Sequence, residues 1–366
     1  MQHSAQATRR WPISQHATAV LLLAGMAQAL SLAWPFDGAF KGDAQGWLQC
    51  MSLAVLAFHI DRSQSGKEAF VKAWVFALAW LAGSIWWLFI SMHRYGGLAA
   101  PVAGLAVGLM AGGLALFYAA AAAVYHAICK TGVGVLPRAG AFAAVWVLAE
   151  MVRGTLWTGF PWGAVGYAHV DSLLQHWAPW MGVYGLCALS AFMAMAVAAE
   201  RKDNRPTTRA TQLVVAAIVA VLGYTWFMSP SQSVDEEALS KKPLSVTLLQ
   251  GNIPQDLKFG EGVSLALRDY REALLSSTSD LTVTPETAIP LIQQQMPERY
   301  WSQLETHFSK GAKAALIGLP LAQRSEQGQL QYSNSAIALM PQTTPASTAS
   351  YQYDKHHLVP FGEFVP

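Results

Sequence analysis

Long apolar runs that lack charged residues fill most of the first 228 residues of the chain. The run from Ala17 to Trp34 contains no Asp, Glu, Lys or Arg. An apolar stretch of about 20 residues has the length of a helix that crosses a lipid bilayer. We therefore predict a membrane domain of seven transmembrane helices over residues 1–228, at Ala17–Trp34, Trp47–Ile60, Ala69–Met92, Gly97–Cys129, Ala139–Val152, Leu173–Ala199 and Thr211–Met228.

The composition supports a lipid environment for this part of the chain. Hydrophobic residues make up 53% and charged residues 13% of the sequence, and the charged share is about half of that in an average soluble domain. The net charge of +2 gives no reason to expect a nucleic acid partner. Cys50, Cys129 and Cys187 lie in or beside apolar runs, so we predict buried, inert thiols rather than a disulfide framework or a metal site.

Lys and Arg are distributed unevenly between the two sides of the predicted membrane domain. If the N-terminus is cytoplasmic, the opposite side holds only Lys41, Arg94 and Arg153, whereas the cytoplasmic side holds Arg9, Arg10, Arg62, Lys67, Lys72, Lys130, Arg138, Arg201, Lys202, Arg205 and Arg209. This agrees with the excess of positive charge found in cytoplasmic loops. With an odd number of helices, everything after Met228 lies outside the cytoplasm. A cleaved signal peptide is the alternative interpretation of the first run.

A polar linker, Ser229–Pro243, separates the membrane domain from a region with a different pattern. Residues 244–366 alternate between short apolar runs typical of buried strands and amphipathic segments typical of helices. This order predicts the first part of an α/β sandwich. The strands are predicted at Leu244–Asn252, Leu281–Thr284, Ala314–Leu319 and Ser335–Met340, and the helices at Glu261–Ser277 and Pro297–Lys310.

Two charged residues of this region lie in distinctive surroundings. Glu286 follows a predicted strand that Pro285 ends, since proline cannot continue a hydrogen-bonded ladder, and Lys355 comes much later in the chain. A carboxylate and an ammonium group suit proton transfer and oxyanion stabilisation, but a surface salt bridge explains such a pair as well. The stretches PETAIP and KHHLVPFGEFVP around them resemble the nitrilase (carbon-nitrogen hydrolase) superfamily and, within it, the apolipoprotein N-acyltransferases of the bacterial inner membrane.

A second resemblance lies in the membrane domain. Glu150 and Arg153 share one helical face near its end, where a pair at the water boundary is the simple interpretation. RGTLWTGFPWGAVGY, which begins at Arg153, and more loosely SIWWLFISMHRYGG, which begins at Ser84, resemble the membrane signature of the N-acyltransferases. The resemblance leads us to expect that Gly159, Phe160, Pro161 and Trp162 line a lipid entrance and that Arg153 also binds substrate. Phe259 is expected to bind substrate as well; it stands where many relatives have a tryptophan and keeps an aromatic wall. A bulky residue at position 159 is then expected to impair acyl transfer without loss of folding.

The resemblance implies a nitrilase-type αββα domain and a reaction in two steps. A cysteine thiolate takes an acyl chain from a membrane phospholipid, and the N-terminal amine of a diacylglyceryl-modified apolipoprotein then accepts it. Glu286 matches the general base, Lys355 the oxyanion-stabilising cation and Glu363 a second glutamate that positions the lysine or moves protons. No cofactor is implied. Adjacent His356 and His357 point to different sides of an extended chain, so no metal site is expected either.

The sequence departs from the family pattern in one important respect. Its last residue, Pro366, comes before the nucleophilic cysteine, the second part of the sandwich and a final membrane helix of the family. We therefore expect a C-terminally truncated chain that forms no thioester by itself. Two other hypotheses remain open: a membrane-tethered amidase or nitrilase that acts on a soluble amide, and a non-catalytic membrane protein that binds lipoproteins.

Overall fold

The computed structural model describes residues 13–129, 133–203, 223, 243–254, 257–324, 328–341, 351–356 and 358. The predicted helix Thr211–Met228, apart from Gly223, and the linker, apart from Pro243, lie outside these residues. Glu363 lies outside them as well. The chain divides into two compact units, Met1–Gln232 and Ser233–Pro366, which are referred to below as the helical unit and the sheet unit.

The helical unit contains a helix in each of the first six regions for which one was predicted. These are α1 (Gln15–Leu30), α2 (Gly46–Asp61), α3 (Gly66–Ser84) with the short α4 (Trp87–Ile90), α5 (Ala100–Ile128), α6 (Val135–Thr155) and α7 (Ala178–Asp203). Local signals explain several boundaries. Ser65 caps α3 by accepting a hydrogen bond from the Glu68 amide, and Pro101 lies in the first turn of α5.

The helices differ in whether they are long and apolar enough to cross a bilayer. Three segments of the described chain, Ala100–Ile128, Val135–Thr155 and Leu173–Ala199, are long and apolar enough to cross a bilayer. A fourth span results if α3 and Trp87–Tyr95, which meet at a bend of 52°, count together. Helices α1 and α2 have 16 residues each. At 1.5 Å per residue they reach about 24 Å, short of the roughly 30 Å hydrocarbon core.

An aromatic cluster lies within the core of the helical unit. Trp80 of α3 stacks on Trp146 of α6 with ring centroids 6.2 Å apart, and Tyr118 of α5 lies within 5 Å of both rings. All three side chains are at most 1% exposed. Rings at these separations interact favourably beyond the burial of their surface. The aromatic cluster therefore joins α3, α5 and α6.

The small residues of α5 differ in how closely they pack against other helices. Alanines at helical spacing, Ala103, Ala111 and Ala115, form the buried face of α5. A Cβ added at Gly104 or Gly108 would meet no described heavy atom within 4 Å. The small residues of α5 thus allow close packing through alanine, while these two glycines lie on its open side.

The sheet unit is built on a five-stranded mixed sheet with the spatial order β1–β2–β3–β4–β5. Its strands are β1 (Val246–Leu248), β2 (Leu281–Val283), β3 (Ala314–Arg324), β4 (Leu330–Leu339) and β5 (Gln352–Asp354). β1, β2 and β3 are parallel, and β4 is antiparallel to both β3 and β5. Helices α8 (Gly262–Ser276) and α9 (Tyr300–Lys310) follow β1 and β2, respectively.

Both helices cover one face of this sheet. Leu267 and Leu274 of α8, and Leu304 and Phe308 of α9, form one buried cluster with alternate residues of β3 and β4, such as Ile317. The amphipathic character predicted for both helices is thus confirmed, and Trp301 at the margin of this face is half-buried. One sheet with one helical layer agrees with an α/β architecture. The second layer that an αββα sandwich requires stays a prediction.

Three details differ from the predicted strands. Val246 and Leu248 of β1 are 47% and 75% exposed, so the prediction of a buried strand was wrong. By register, both lie on the face of the sheet opposite to that of Ala315, which packs against the helices. β3 and β4 form a hairpin much longer than the two predicted apolar cores, because backbone pairing continues through polar residues such as Gln323 and Gln331. β5 was not predicted, since three residues carry no recognisable periodicity.

Candidate active site

The register of the sheet brings three distant chain segments to one place. Backbone hydrogen bonds to Leu316 and Gly318 of β3 hold the segment that follows β2. Pro320, two residues after Gly318, pairs with Asn334 of β4, and the Asn334 carbonyl accepts a hydrogen bond from the Lys355 amide at 2.9 Å. The pairing of β3 with β4, together with these backbone bonds, therefore brings Glu286, Asn334 and Lys355 close together.

The side chains of the predicted pair are in contact. The Lys355 ammonium lies 3.2 Å from Oε1 of Glu286, and the two side chains are 27% and 61% exposed, respectively. An exposed ion pair of this kind stabilises a fold by roughly 1 kcal/mol or less. The pair thus contributes little to stability, while its position leaves the carboxylate accessible to a substrate.

Asn334 is a third member of this site, and sequence reasoning missed it. Its Nδ2 donates a short hydrogen bond to the same carboxylate oxygen of Glu286 that Lys355 contacts. Its Oδ1 accepts from the Thr287 hydroxyl at 3.4 Å. Two donors on Oε1 fix the orientation of the carboxylate and direct Oε2 away from them. An asparagine inside a strand gives no signal of this role until the pairing partner of its strand is known.

Gly318 allows the Glu286 segment to lie directly on β3. A Cβ at this position would collide with the Pro285 carbonyl and come within 3.1 Å of the Cα of Glu286. Thr287 adopts a positive φ of 50°, which is uncommon for a residue other than glycine. The carboxylate is therefore carried by a turn whose backbone conformation is constrained on both sides of Glu286.

Two neighbours modify the charge around the pair. A hydrogen bond from the Ser335 hydroxyl holds the pKa of Asp354, which precedes Lys355, below its usual range, and bonds from Gln352 and Ser333 act in the same direction. The Lys258 ammonium lies 3.4 Å from the backbone oxygen of Glu286. The next residue, Phe259, is 66% exposed, so its ring is available at the side of the site where Lys258 approaches.

The helical unit contains the second predicted region, the turn Gly159–Gly163 after α6. Gly159 and Gly163 have positive φ values of 76° and 74°. A Cβ at Gly159 would collide with the Gly154 carbonyl. The expectation that a bulky residue is tolerated at position 159 is therefore wrong, because any side chain there would break the turn itself.

The structure brings the two membrane signatures together. The ring of Trp87, from the stretch that begins at Ser84, lies 5.4 Å from the ring of Trp162 in the turn. Arg153 and Glu150 form a fully buried ion pair with an N–O distance of 2.8 Å. The shared helical face was predicted correctly, but the pair does not lie at a water boundary. Because Arg153 is 1% exposed and bonded to protein groups, its position differs from that expected of a residue that contacts substrate.

The cysteines lie in the helical unit, and the sequence has none after Cys187. Cys187 is buried and its Sγ accepts a hydrogen bond from the Gly166 amide at 3.1 Å. Cys50 and Cys129 are half-buried, so the prediction of three buried thiols holds only for Cys187. All three are free rather than disulfide-bonded.

Comparison with known proteins gives a consistent result. The family model described as the apolipoprotein N-acyltransferase N-terminal domain matches residues 24–196. An apolipoprotein N-acyltransferase of Verminephrobacter eiseniae is 45% identical over 357 residues, which are 94% of this chain and 64% of that protein. One of Ralstonia nicotianae is 38% identical over 333 residues, or 90% of this chain and 60% of that protein. A relative from Bordetella parapertussis is 33% identical over 375 residues, which cover 95% of this chain and 67% of that protein. The chain belongs to the apolipoprotein N-acyltransferase family.

The extent of these matches shows which regions the relationship covers. The N-terminal domain of the apolipoprotein N-acyltransferases matches a range that includes α2 to α6 and the turn Gly159–Gly163. The matches to whole relatives extend over 90% or more of the chain, so they also reach well into the sheet unit. The chain spans 64% and 60% of the lengths of the first two relatives.

Proposed function

We propose that this protein takes part in the transfer of an acyl chain from a phospholipid to the N-terminal amine of a diacylglyceryl-modified apolipoprotein. The name of its relatives, apolipoprotein N-acyltransferase, supports this proposal. Membership of the family supports the reaction class. The observation that carries the proposal is the contact between the Lys355 ammonium and the Glu286 carboxylate. In this contact a carboxylate and an ammonium group lie next to each other in the segment after β2, which supports the proposed pairing of a base with a cation.

Each group has a role that its chemistry suits. Glu286, as the general base, takes the proton of a cysteine thiol, because a thiol is mostly protonated at neutral pH and reacts as the thiolate. The sulfur attacks the ester carbonyl carbon of the phospholipid, and Lys355 stabilises the negative oxygen of the tetrahedral intermediate. When the carbon–oxygen bond breaks, the proton passes to the departing alkoxide, and a lysophospholipid leaves. The acyl chain remains as a thioester.

The second step returns the enzyme to its starting state. The amine of the acceptor attacks the thioester carbonyl, a carbon–nitrogen bond forms, and the carbon–sulfur bond breaks as the thiol regains a proton. Glu286 suits the transfer of the amine proton in this step. Glu363 is proposed to hold Lys355 or move protons, on the basis of the family pattern alone. The cysteine in this mechanism is likewise inferred from the family pattern, because the sequence of the sheet unit contains no cysteine.

A direct assay tests the proposed reaction. The complete gene product, in detergent micelles with a phosphatidylethanolamine whose acyl chain is fluorescent, is expected to form a hydroxylamine-sensitive acyl-enzyme and then an N-acylated diacylglyceryl-cysteine peptide. Ammonia release from soluble amides without acyl transfer would instead support an amidase. Binding of the acceptor peptide without turnover would support a non-catalytic lipoprotein-binding protein.

We further propose that the protein lies in the bacterial inner membrane with the sheet unit in the periplasm. The apolar helices of the helical unit support a membrane location, and the asymmetry of Lys and Arg supports this orientation. A cysteine introduced at Ser302, an exposed position on α9, is expected to react in intact spheroplasts with a membrane-impermeant maleimide, whereas one at Ser65, before α3, should react only after lysis. Labelling of position 65 but not of position 302 would reverse the orientation.

A further inference from the structure

Arg153, in the last turn of α6, makes hydrogen bonds in three directions. Its Nε donates to the Tyr118 hydroxyl at 2.7 Å, and its Nη2 donates to Oε2 of Glu150 at 2.8 Å. Its Nη1 donates to two backbone oxygens, those of Phe160 and Trp162, the latter at 2.8 Å. The guanidinium thus connects a side chain of α5, a side chain of its own helix and the backbone of the turn that follows.

The connection to the turn is reciprocal. The Phe160 amide donates to the Arg153 carbonyl at 2.8 Å, so the same residue binds the turn through its backbone as well as its side chain. Arginine suits this position because its planar group holds five N–H donors in fixed directions. A lysine at the same place would have one nitrogen for partners that lie on three sides. We name the group Glu150, Arg153 and Tyr118 the arginine clamp.

The clamp holds a turn that presents aromatic surface. Trp162 is 59% exposed, and its ring contacts that of Trp87. Trp157, just before the turn, has a positive φ of 53° and is 85% exposed. Exposed tryptophans of membrane proteins concentrate at the level of the lipid head groups. The clamp therefore fixes in place a turn whose exposed aromatic surface suits contact with lipid head groups.

Stability alone does not account for this arrangement. A buried ion pair contributes little net stability, because removal of two charges from water offsets their attraction, and apolar residues of similar volume often do as well. The two bonds from Nη1 act on the geometry of the turn instead. Without the guanidinium, the backbone carbonyls of Phe160 and Trp162 would lose these hydrogen-bond donors and would need others.

We propose that Arg153 is a positioning residue for binding of the phospholipid acyl donor, and that Glu150 and Tyr118 hold it in the required orientation. Arg153 acts through the turn and does not touch the lipid, which contacts the exposed ring of Trp162. This inference rests on the proposed acyl-transfer function for the identity of the lipid. It replaces the expectation that the guanidinium itself binds substrate.

A double variant of the complete gene product tests the clamp without leaving a charge unpaired. Glu150→Gln with Arg153→Met removes both members of the ion pair and both bonds to the turn carbonyls, while Tyr118 and the packing remain. Hydrogen exchange of peptides that cover residues 156–164 is expected to become on the order of tenfold faster, since local opening no longer breaks these bonds. The KM for phosphatidylethanolamine in micelles should rise by on the order of tenfold with kcat nearly unchanged, the signature of lost ground-state binding.

The chain offers a matched control on the same helix. Arg138, near the start of α6, forms a buried ion pair with Asp61 of α2 at 3.0 Å. Asp61→Asn with Arg138→Met removes a pair of the same type from a part of α6 that is about four turns from Arg153 in the sequence. This double variant is expected to leave both the exchange of residues 156–164 and the KM as in the wild type, even where it lowers the melting temperature.

Binding of a phospholipid with a fluorescent acyl chain is measured alongside, so that the inference does not depend on turnover. Weaker binding together with faster exchange in the Glu150→Gln/Arg153→Met variant supports the clamp, even if the wild type transfers no acyl chain and the proposed function fails. Unchanged exchange overturns the clamp. Faster exchange with unchanged binding and KM overturns its role in lipid docking, as does an equal effect in the control variant.

Discussion

Glu286→Gln is expected to lower the rate of acyl-enzyme formation by about 10²–10⁴-fold, the usual contribution of a general base. Glutamine keeps the size of the side chain and can still accept the hydrogen bonds from Asn334 and Lys355, so the turn that follows β2 should stay in place. It has no basic site for the thiol proton. The rate is measured in the complete gene product with excess phospholipid, by quenching and counting the thioester.

The exposed Glu272 of α8 supplies the control for this variant. Glu272→Gln makes the same chemical change on the surface and should leave the rate as in the wild type. A Glu286→Gln protein that forms the thioester within about threefold of the wild-type rate would mean that another group acts as the base, because loss of a true base costs far more. Thermal unfolding of both variants shows whether the fold is equally intact.

Lys355→Met is expected to lower the rates of both half-reactions by about 10²–10³-fold, the usual cost of one oxyanion-stabilising donor. Both steps pass through a tetrahedral intermediate with a negative oxygen, so both should slow. Lys355→Arg keeps the charge but replaces a compact ammonium by a larger planar group, and we expect it to recover only part of the loss. Acyl-enzyme formation and transfer to the peptide are measured separately by single-turnover experiments.

Lys310→Met, at the exposed end of α9, removes a charge of the same kind and is the matched control. If Lys355→Met slows only the transfer to the peptide, the lysine serves the acceptor rather than the oxyanion. If neither half-reaction slows, the contact with Glu286 is a surface salt bridge of little consequence. The three results separate the proposed role from the simpler interpretation of the pair.

Sequence reasoning located the parts of the site that depend on local signals. Pro285 marks the end of a strand without any knowledge of the rest of the sheet, and the structure ends β2 at Val283 and brings Glu286 to Lys355. The inward faces of α8 and α9 follow from helical periodicity in the same way. The i, i+3 spacing of Glu150 and Arg153 likewise sufficed to predict that they share a face.

The missed features depend on which segments become neighbours. Asn334 joins the site only because β4 pairs with both β3 and β5, and no pattern within β4 predicts those partners. The exposure of Val246 and Leu248 in β1 depends on which face of the sheet the described helices cover, and the apolar residues of β1 do not reveal that face. Which small residues of α5 pack depends on the position of the neighbouring helices: the alanines are buried, whereas Gly104 and Gly108 face no described neighbour. Burial of Arg153 depends on a turn and a neighbouring helix.

The two charges of the ion pair differ in how firmly the sheet holds their backbones. Glu286 follows a central strand that is flanked by pairing partners on both sides, whereas Lys355 follows β5, three residues long at the edge of the described sheet. Short edge strands fray more readily than central ones, since fewer bonds must break. Fraying of β5 would withdraw the cation and leave the carboxylate where it is. Lys355 could therefore leave the ion pair without unfolding of the sheet, and anything that secures or loosens that edge would adjust the proposed pairing of base and cation.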